Sequence, residues 1–399
     1  MSKIYKPSVF FTLTLGILSM LPPLGIDMYL PAFLNIAQDL KVDAEQVPYT
    51  LTLFTFGMAI GQLFWGPIGD SYGRKPSILV GIIIGAISAF ALTAVDSIQH
   101  FTALRFVQGF FGAAPVVLVG ALLRDLFDKN DLSKMMSMIM LIVMVAPLIA
   151  PILGGYIVTY FNWRMIFYII AFAGFLSVLL VFFLVPETHK KENRVPLRLN
   201  IIARNFATIW KQKEVLGYMI SSGFGFGGMF VFLTLGSIVY IDLYGVSVEN
   251  FGYFFMLNIG VMTIGSFLNG RFVHKWGAEK LLQGGLLVQF IAGMWLILVA
   301  VFDLGFWSMA IGVAVFVGQN ALISSNSMAS ILGKFPNMAG TANSIAGTVR
   351  FGLGAIIGSL VALLKLESAK PMLFSMAACV IVAVLTYYLL TYKTLQGRK

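Results

Sequence analysis

Asp27, Arg105 and Arg350 stand inside long apolar stretches that hold no other charge. A charge at the centre of a membrane-depth helix costs about 2.5–3.5 kcal/mol on insertion scales, so such residues tend to face a cavity and mark ion or substrate paths. A carboxyl near a guanidinium is also a device for moving protons. Burial favours the neutral acid, and a nearby arginine favours the ionised one. The bland alternative is a structural ion pair. Asp27 lies late in its stretch and Arg105 early in one running the opposite way, at depths where the two could interact. Pro22, Pro23, Gly25 and Pro31 surround Asp27, so its helix is expected to bend and to lack backbone bonds there. Asp27 and Arg105 are therefore the candidate proton-coupling pair.

Arg105, Gln108, Gly109 and Gly112 recur at helical spacing and share one face. Asn343, Gly347, Arg350, Gly354 and Gly358 do the same in a later stretch. Each face joins one arginine to small residues that permit close packing. Asn258, Gln319 and Asn320 offer hydrogen bonds, and Phe224, Phe226 and Phe230 an apolar wall. The expected substrate-binding set is Asp27, Arg105, Gln108, Phe224, Asn258, Gln319, Asn320 and Arg350. Two arginines against one acid should disfavour dications, because like charges repel strongly in a low-dielectric site.

The elements that must position these residues follow from composition. The chain is 59% hydrophobic and 11% charged, against about 25% charged in soluble domains. Twelve apolar stretches near membrane length run from Val9–Leu34 to Met372–Thr391, with Phe251–Leu268 and Leu281–Phe302 as the eighth and ninth. Helices are expected, since lipid offers backbone groups no partner. An even number of spans puts both termini on one side. Of the 27 lysines and arginines, the opposite loops hold only Lys41, Arg164, Lys365 and Lys370. The positive-inside rule then makes the termini cytoplasmic and explains the basic charge without a nucleic-acid partner. Residues 186–213 read as a polar linker between six-span halves at 1–185 and 214–399.

A single cysteine, Cys379, excludes an intramolecular disulfide framework and an all-cysteine metal site. The three histidines, His100, His189 and His274, fall in or beside loops, and no Gly-rich phosphate cradle with its lysine is present. Intramembrane catalysis and ATP-driven transport are therefore disfavoured. Secondary transport remains, as a proton-coupled exporter or a proton-coupled importer of a small nutrient.

The halves repeat. "GPIGDSYGRKP" begins at Gly66, and "GRFVHKWGAEK" at Gly270, 204 residues later. The same offset aligns Ile60-Gly61 with Ile264-Gly265, Gly73 with Gly277, and Gly154 with Gly358. Parallel six-helix repeats with a site between them are a transporter architecture. Gly66, Asp70, Gly73, Arg74 and Lys75 match the hairpin signature of the major facilitator superfamily, which the chain resembles along essentially its whole length. Leu104-Arg105, Gln108-Gly109 and Gly112 resemble its intramembrane-arginine motif. Pro151, Gly154 and Gly155, after Ala150, resemble the fifth-span motif of drug:proton antiporters. Gly25, Asp27 and Pro31 with Pro186-Glu187-Thr188 resemble the Bcr/CflA-type exporters of bicyclomycin and chloramphenicol resistance.

The resemblance implies an all-α polytopic fold of two pseudo-symmetric six-helix bundles in a bacterial inner membrane. It implies export of small drug-like molecules by alternating access, driven by the proton-motive force with no other cofactor, by a monomer in the lipid bilayer. Gly66, Asp70, Gly73, Arg74, Pro151, Gly154 and Gly155 become gating residues. Asp70 is expected to meet the amino end of the eleventh span, near Asn337–Asn343, when the cytoplasmic side closes. Such a contact contributes about 0.3–1 kcal/mol exposed and up to about 2 partly buried. His274 replaces the acid in the second copy, which should weaken that latch.

Overall fold

With no partner in lipid, the backbone of each apolar run pairs with itself, and every span is helical. The computed structural model describes residues 8–189, 192, 194, 206–335 and 338–396. The spans are α1 (Val9–Asp39), α2 (Ala44–Tyr72), α3 (Arg74–Leu92), α4 (Ile98–Leu126), α5 (Lys134–Tyr160), α6 (Arg164–Leu184) and α7 (Lys213–Leu243), then α10 (Gly305–Lys334), α11 (Gly340–Ala362) and α12 (Lys370–Gln396). Between α7 and α10 one helix, Val248–Phe302, contains both α8 and α9. Its 55 residues would extend about 80 Å if straight, far beyond a bilayer core. Gly277 breaks it, with φ 78° and ψ 157°, into α8 (248–276) and α9 (278–302).

The sequence expectation ended the eighth span at Leu268. The helix instead continues through the charged stretch to Gly277, because nothing before that glycine breaks it. Gly73, between α2 and α3, has φ 107° and ψ 155°. The internal repeat is thus present in backbone conformation as well as in residue type, at positions where a left-handed φ favours glycine. Lys190, Lys191, Arg198 and Arg204 of the middle linker lie outside the described residues.

We call the face that bears both chain ends the terminal face and the opposite one the far face. The apolar core divides between them. At the far face one cluster draws on both halves, including Met28, Tyr29 and Phe167 of the first and Phe230, Tyr240 and Phe251 of the second. At the terminal face there are two clusters. One, around Trp65 and Leu118, belongs wholly to the first half, and the other, around Tyr218 and Ile345, wholly to the second. The halves are sealed at the far end and separately packed at the terminal end.

Two helix pairs carry the contact between halves. Along the α2–α11 edge, Gly66 meets Ser344, Gln62 meets Gly347, the Thr348 hydroxyl donates to the Ala59 carbonyl at 3.0 Å, and Thr52 meets Gly358. That edge stays closed along most of both helices. The α5–α8 edge closes only toward the far face, where Gly252 packs on Ile152 and Gly155 on Val248 and Glu249. Tyr156 lies beside Tyr253 and Thr159 beside Glu249 there.

Candidate functional site

The break in α1 has an identifiable cause. Pro31 has no N–H for the Asp27 carbonyl four residues earlier, and the regular helix ends at Asp27. A single 3₁₀ turn follows at Leu30–Ala32 before helix resumes at Phe33–Asp39. Asp27 is 6% exposed, and among the described residues no hydrogen bond or ion pair engages its carboxyl. Burying an unpaired charge is costly.

Arg105 is fully buried, yet its partner is not Asp27. Its Nη2 donates to the Gly25 carbonyl at 2.8 Å and its Nη1 to Gln108 Oε1 at 2.6 Å. The guanidinium lies 4.2 Å from the centre of the Tyr29 ring and 4.3 Å from that of Phe54, with Phe167 at 5.9 Å. The Tyr29 hydroxyl in turn pairs with Thr50 Oγ1 at 3.2 Å. The expected contact between Asp27 and Arg105 is absent among the described residues. Helix geometry gives the reason. Gly25 faces Phe54 and Arg105, and two residues further on a helix is about 200° around the axis, so Asp27 points away from them. Arg105 therefore clamps the bend of α1 through backbone and rings.

Arg350 is half-buried on α11. Its Nη1 donates to Ser324 Oγ at 2.5 Å, and its guanidinium covers the Phe226 ring at 4.6 Å. Its Nε is buried without a partner. The small residues around it serve packing: Gly347 admits Gln62 of α2, while Gly354 and Gly358 admit the rings of Phe226 and Phe230. The face read as one stripe is thus shared between α2 and α7. Asn320 is buried and donates to the Val317 carbonyl of its own helix at 3.2 Å. Gln319 is half-buried and donates to Val315 at 3.4 Å. Asn258 is buried on α8, and Phe224 is half-buried within the second half.

The hairpin residues form one network on the terminal face of the first half. Asp70 pairs with Arg74 at 2.5 Å, and Arg74 Nε reaches Asp125 at 3.3 Å. The Arg74 and His189 backbone N–H groups donate to Glu187 Oε1 at 3.1 and 2.8 Å, and the Thr188 hydroxyl donates to Asp125 at 2.9 Å. The Pro186-Glu187-Thr188 stretch is therefore the hairpin's dock. Asp70 turns to its own hairpin in this state, and Asn337 lies outside the described residues. His274 is exposed on α8. In the fifth span, a side chain at Gly154 would run into the Met28 carbonyl, and one at Gly155 would sit 2.6 Å from that of Val248. The motif is the contact surface of the far-face seal.

Residues 15–359 match the family model described as Major Facilitator Superfamily. The chain belongs to the Major Facilitator Superfamily. Within this superfamily, a bicyclomycin resistance protein homolog of Haemophilus influenzae is 65% identical over 393 residues, covering 98% of this chain and 99% of that protein. The multidrug transporter MdfA of Edwardsiella piscicida is 25% identical over 284 residues, 70% of this chain and 68% of its own. A partially occluded inward-open conformation of the xylose transporter XylE from E. coli superposes with a TM-score of 0.72 over 95% of both chains at 16% identity, a likeness of fold. The Bcr/CflA-type resemblance read from Asp27, Pro31 and Glu187 agrees with the Haemophilus relative. The chain is a multi-pass membrane transporter of the superfamily and not an enzyme.

Sequence reasoning missed Tyr29, Phe54 and Phe167 around Arg105, Gln62 against α11, and Ser324 beside Arg350. Aromatics are so common here that no spacing signals a cage. Ser324 and Gln62 lie on helices whose neighbours sequence does not specify.

Proposed function

We propose that this protein exports small drug-like molecules from the cytoplasm of a bacterium in exchange for protons, as a monomer in the inner membrane with both termini inside. Its identity with the bicyclomycin resistance homolog supports drug export. The observation that carries proton coupling is Asp27: a buried, unpaired carboxyl at a break in α1, two residues from the carbonyl that Arg105 grips. With the terminal face as the cytoplasmic one, the far-face seal makes this the inward-facing state. Asp27 carries its proton here. On losing it, the carboxylate competes with the Gly25 carbonyl for Arg105, which alters the bend of α1 and links proton release to the halves' rearrangement. Arg350, half-buried and held by Ser324 and the Phe226 ring, offers its remaining guanidinium donors to a polar, uncharged or acidic molecule. The proton is the only cofactor required.

The test is efflux of bicyclomycin from proteoliposomes of purified protein under an imposed pH gradient. Accumulation should collapse with a protonophore and need no ATP. Transport that persists without a proton gradient overturns the reading.

A further inference from the structure

The centres of the two bundles are built differently, although the halves repeat. In the second half, α7, α10, α9 and α12 surround two large side chains. Gln289 is fully buried and donates to the Phe316 carbonyl at 3.2 Å, and the Phe316 ring lies against Gly228 and Gly293. The residues 204 positions before these two are Gly85 and Gly112. There α1, α4, α3 and α6 form the corresponding ring, each packed on the next. Its centre is a cavity of about 40 Å³, lined in part by Gly81, Gly85, Gly112 and Gly174. A side chain at Gly85 would begin with no atom within 4 Å, and one at Gly112 would meet only Pro22, at 4.0 Å.

Two polar groups of this cavity lack a partner. Gln108 is only 5% exposed and lines the cavity. Its Oε1 accepts from Arg105, whereas its Nε2 has no hydrogen-bond partner among the described residues. Pro115, also in the lining, withholds the N–H that would pair with the Phe111 carbonyl. That oxygen lies 2.9 Å from where a side chain at Gly81 would begin, so the glycine leaves it uncovered. A purely apolar cavity stays dry, but a buried amide and carbonyl without partners carry a desolvation penalty that water removes. At about 10–15 Å³ each, about three waters fit. Gly25, whose carbonyl Arg105 grips, forms another part of the wall.

We propose that the centre of the first bundle is a water site, whose cluster accepts from Gln108 Nε2, donates to the Phe111 carbonyl and serves the Arg105 clamp. This rests on the proton-coupling reading, in which the Asp27 carboxylate draws Arg105 away from the Gly25 carbonyl. In a dry bundle that step would strand the carbonyl at its full desolvation cost. Water beside Gly25 becomes its new donor, at little loss of bond strength. The clamp thus exchanges partners instead of losing one. The second half, whose centre is filled, has no such clamp: Met309 and Gly312 stand 204 positions after Arg105 and Gln108.

The test reads water and transport separately on the full chain. Brief X-ray radiolysis of the purified protein turns bound water into hydroxyl radical, which oxidises the side chains beside it. Ile82 in the cavity wall and Leu286, its counterpart in the second half, are both buried. Ile82 should oxidise at least fivefold faster, and Gly85→Val should bring it down to the rate of Leu286. Equal rates in the native protein overturn the water site. In proteoliposomes under an imposed pH gradient, Gly85→Val should lower bicyclomycin efflux at least tenfold, because its methyl groups displace water without replacing the bonds. Gly85→Thr has the same shape with a hydroxyl and should stay within threefold of native. Retained downhill exchange shows that the valine variant is folded. If it does not fold, Gly112→Ala against Gly112→Ser makes the same comparison. Equal losses from the apolar and hydroxyl variants, or uphill efflux unimpaired by the apolar one, overturn the role in the clamp. Native efflux that ignores the pH gradient overturns the coupling reading instead and leaves the radiolysis result standing.

Discussion

Replacing Asp27 with asparagine separates two views of the α1 break. If Asp27 and Arg105 formed a buried ion pair, losing one partner would destabilise the protein by about 3–5 kcal/mol, because a charge would be left unpaired. In the structure the carboxyl has no partner to lose, and asparagine has the same shape. The expected cost is below about 1 kcal/mol, within the range of ordinary substitutions. Arg105→Gln is different. It removes charge-assisted bonds to Gly25 and Gln108, worth about 1.5–3 kcal/mol each, and stacking on Tyr29 and Phe54, about 2 kcal/mol or more when desolvated. Relief of the buried charge offsets part of this, leaving an expected loss of about 3–5 kcal/mol. The assay is equilibrium unfolding by dodecyl sulfate in mixed micelles for native, single and double variants, with efflux measured in parallel. Asp27→Asn should fold normally, lose uphill efflux and keep downhill exchange, and the double-mutant coupling should be under about 0.5 kcal/mol. A loss above about 3 kcal/mol for Asp27→Asn, with coupling above about 1.5, would refute the unpaired carboxyl.

Gly155→Leu cannot close the far face against the Val248 carbonyl; transport should fall at least tenfold, and Met28→Cys should become reactive toward an impermeant thiol reagent added on that side. Gly73→Ala meets Glu187 and Arg194 as well as an unfavourable φ, whereas Gly277→Ala meets only the φ. Both should lose about 1–3 kcal/mol in the unfolding assay, because positive φ with extended ψ is a backbone region essentially confined to glycine, with the further loss confined to Gly73. Asp70→Asn breaks the bond to Arg74 and should slow efflux severalfold, while His274→Asn, at an exposed site, should leave it within twofold. Arg350→Lys keeps the charge but loses the planar fork over Phe226 and should weaken binding of oxygen-rich substrates about tenfold, read as KM at a fixed pH gradient. Arg350→Gln should in addition admit cations, and unchanged selectivity across neutral, anionic and cationic compounds would contradict a role in recognition.

The spans and the internal repeat were legible because each has a strong local signal: apolar length, loop charge and residue identity at a fixed offset. Gly73 and Gly277 were legible for the same reason, since a left-handed turn needs a residue type that shows in the sequence. Partners were not. Asp27 and Arg105 share a depth, but direction around a bent helix depends on how Pro31 ends it, and the 200° between Gly25 and Asp27 reverses the expected contact. Glu187 was noticed only through resemblance; its task, accepting the Arg74 N–H, joins residues from opposite ends of the first half. The stripe through Gly347 and Gly358 was found, but an apolar glycine face has no mark to say whether a ligand, α2 or α7 fills it.

The unequal edges have a mechanical consequence. An edge that stays in contact from Gly66–Ser344 to Thr52–Gly358 while its counterpart parts works as the spine of a book, with α5 and α8 as the covers. Motion is then largest along the α5–α8 side and smallest beside Ala59 and Thr348. A short tether between α2 and α11 should be tolerated throughout the cycle, while the same tether between α5 and α8 stops it at one page. An inhibitor lodged along the spine gains little leverage. One wedged at the opening edge, near Pro147 and Met256, works against the full sweep of the hinge.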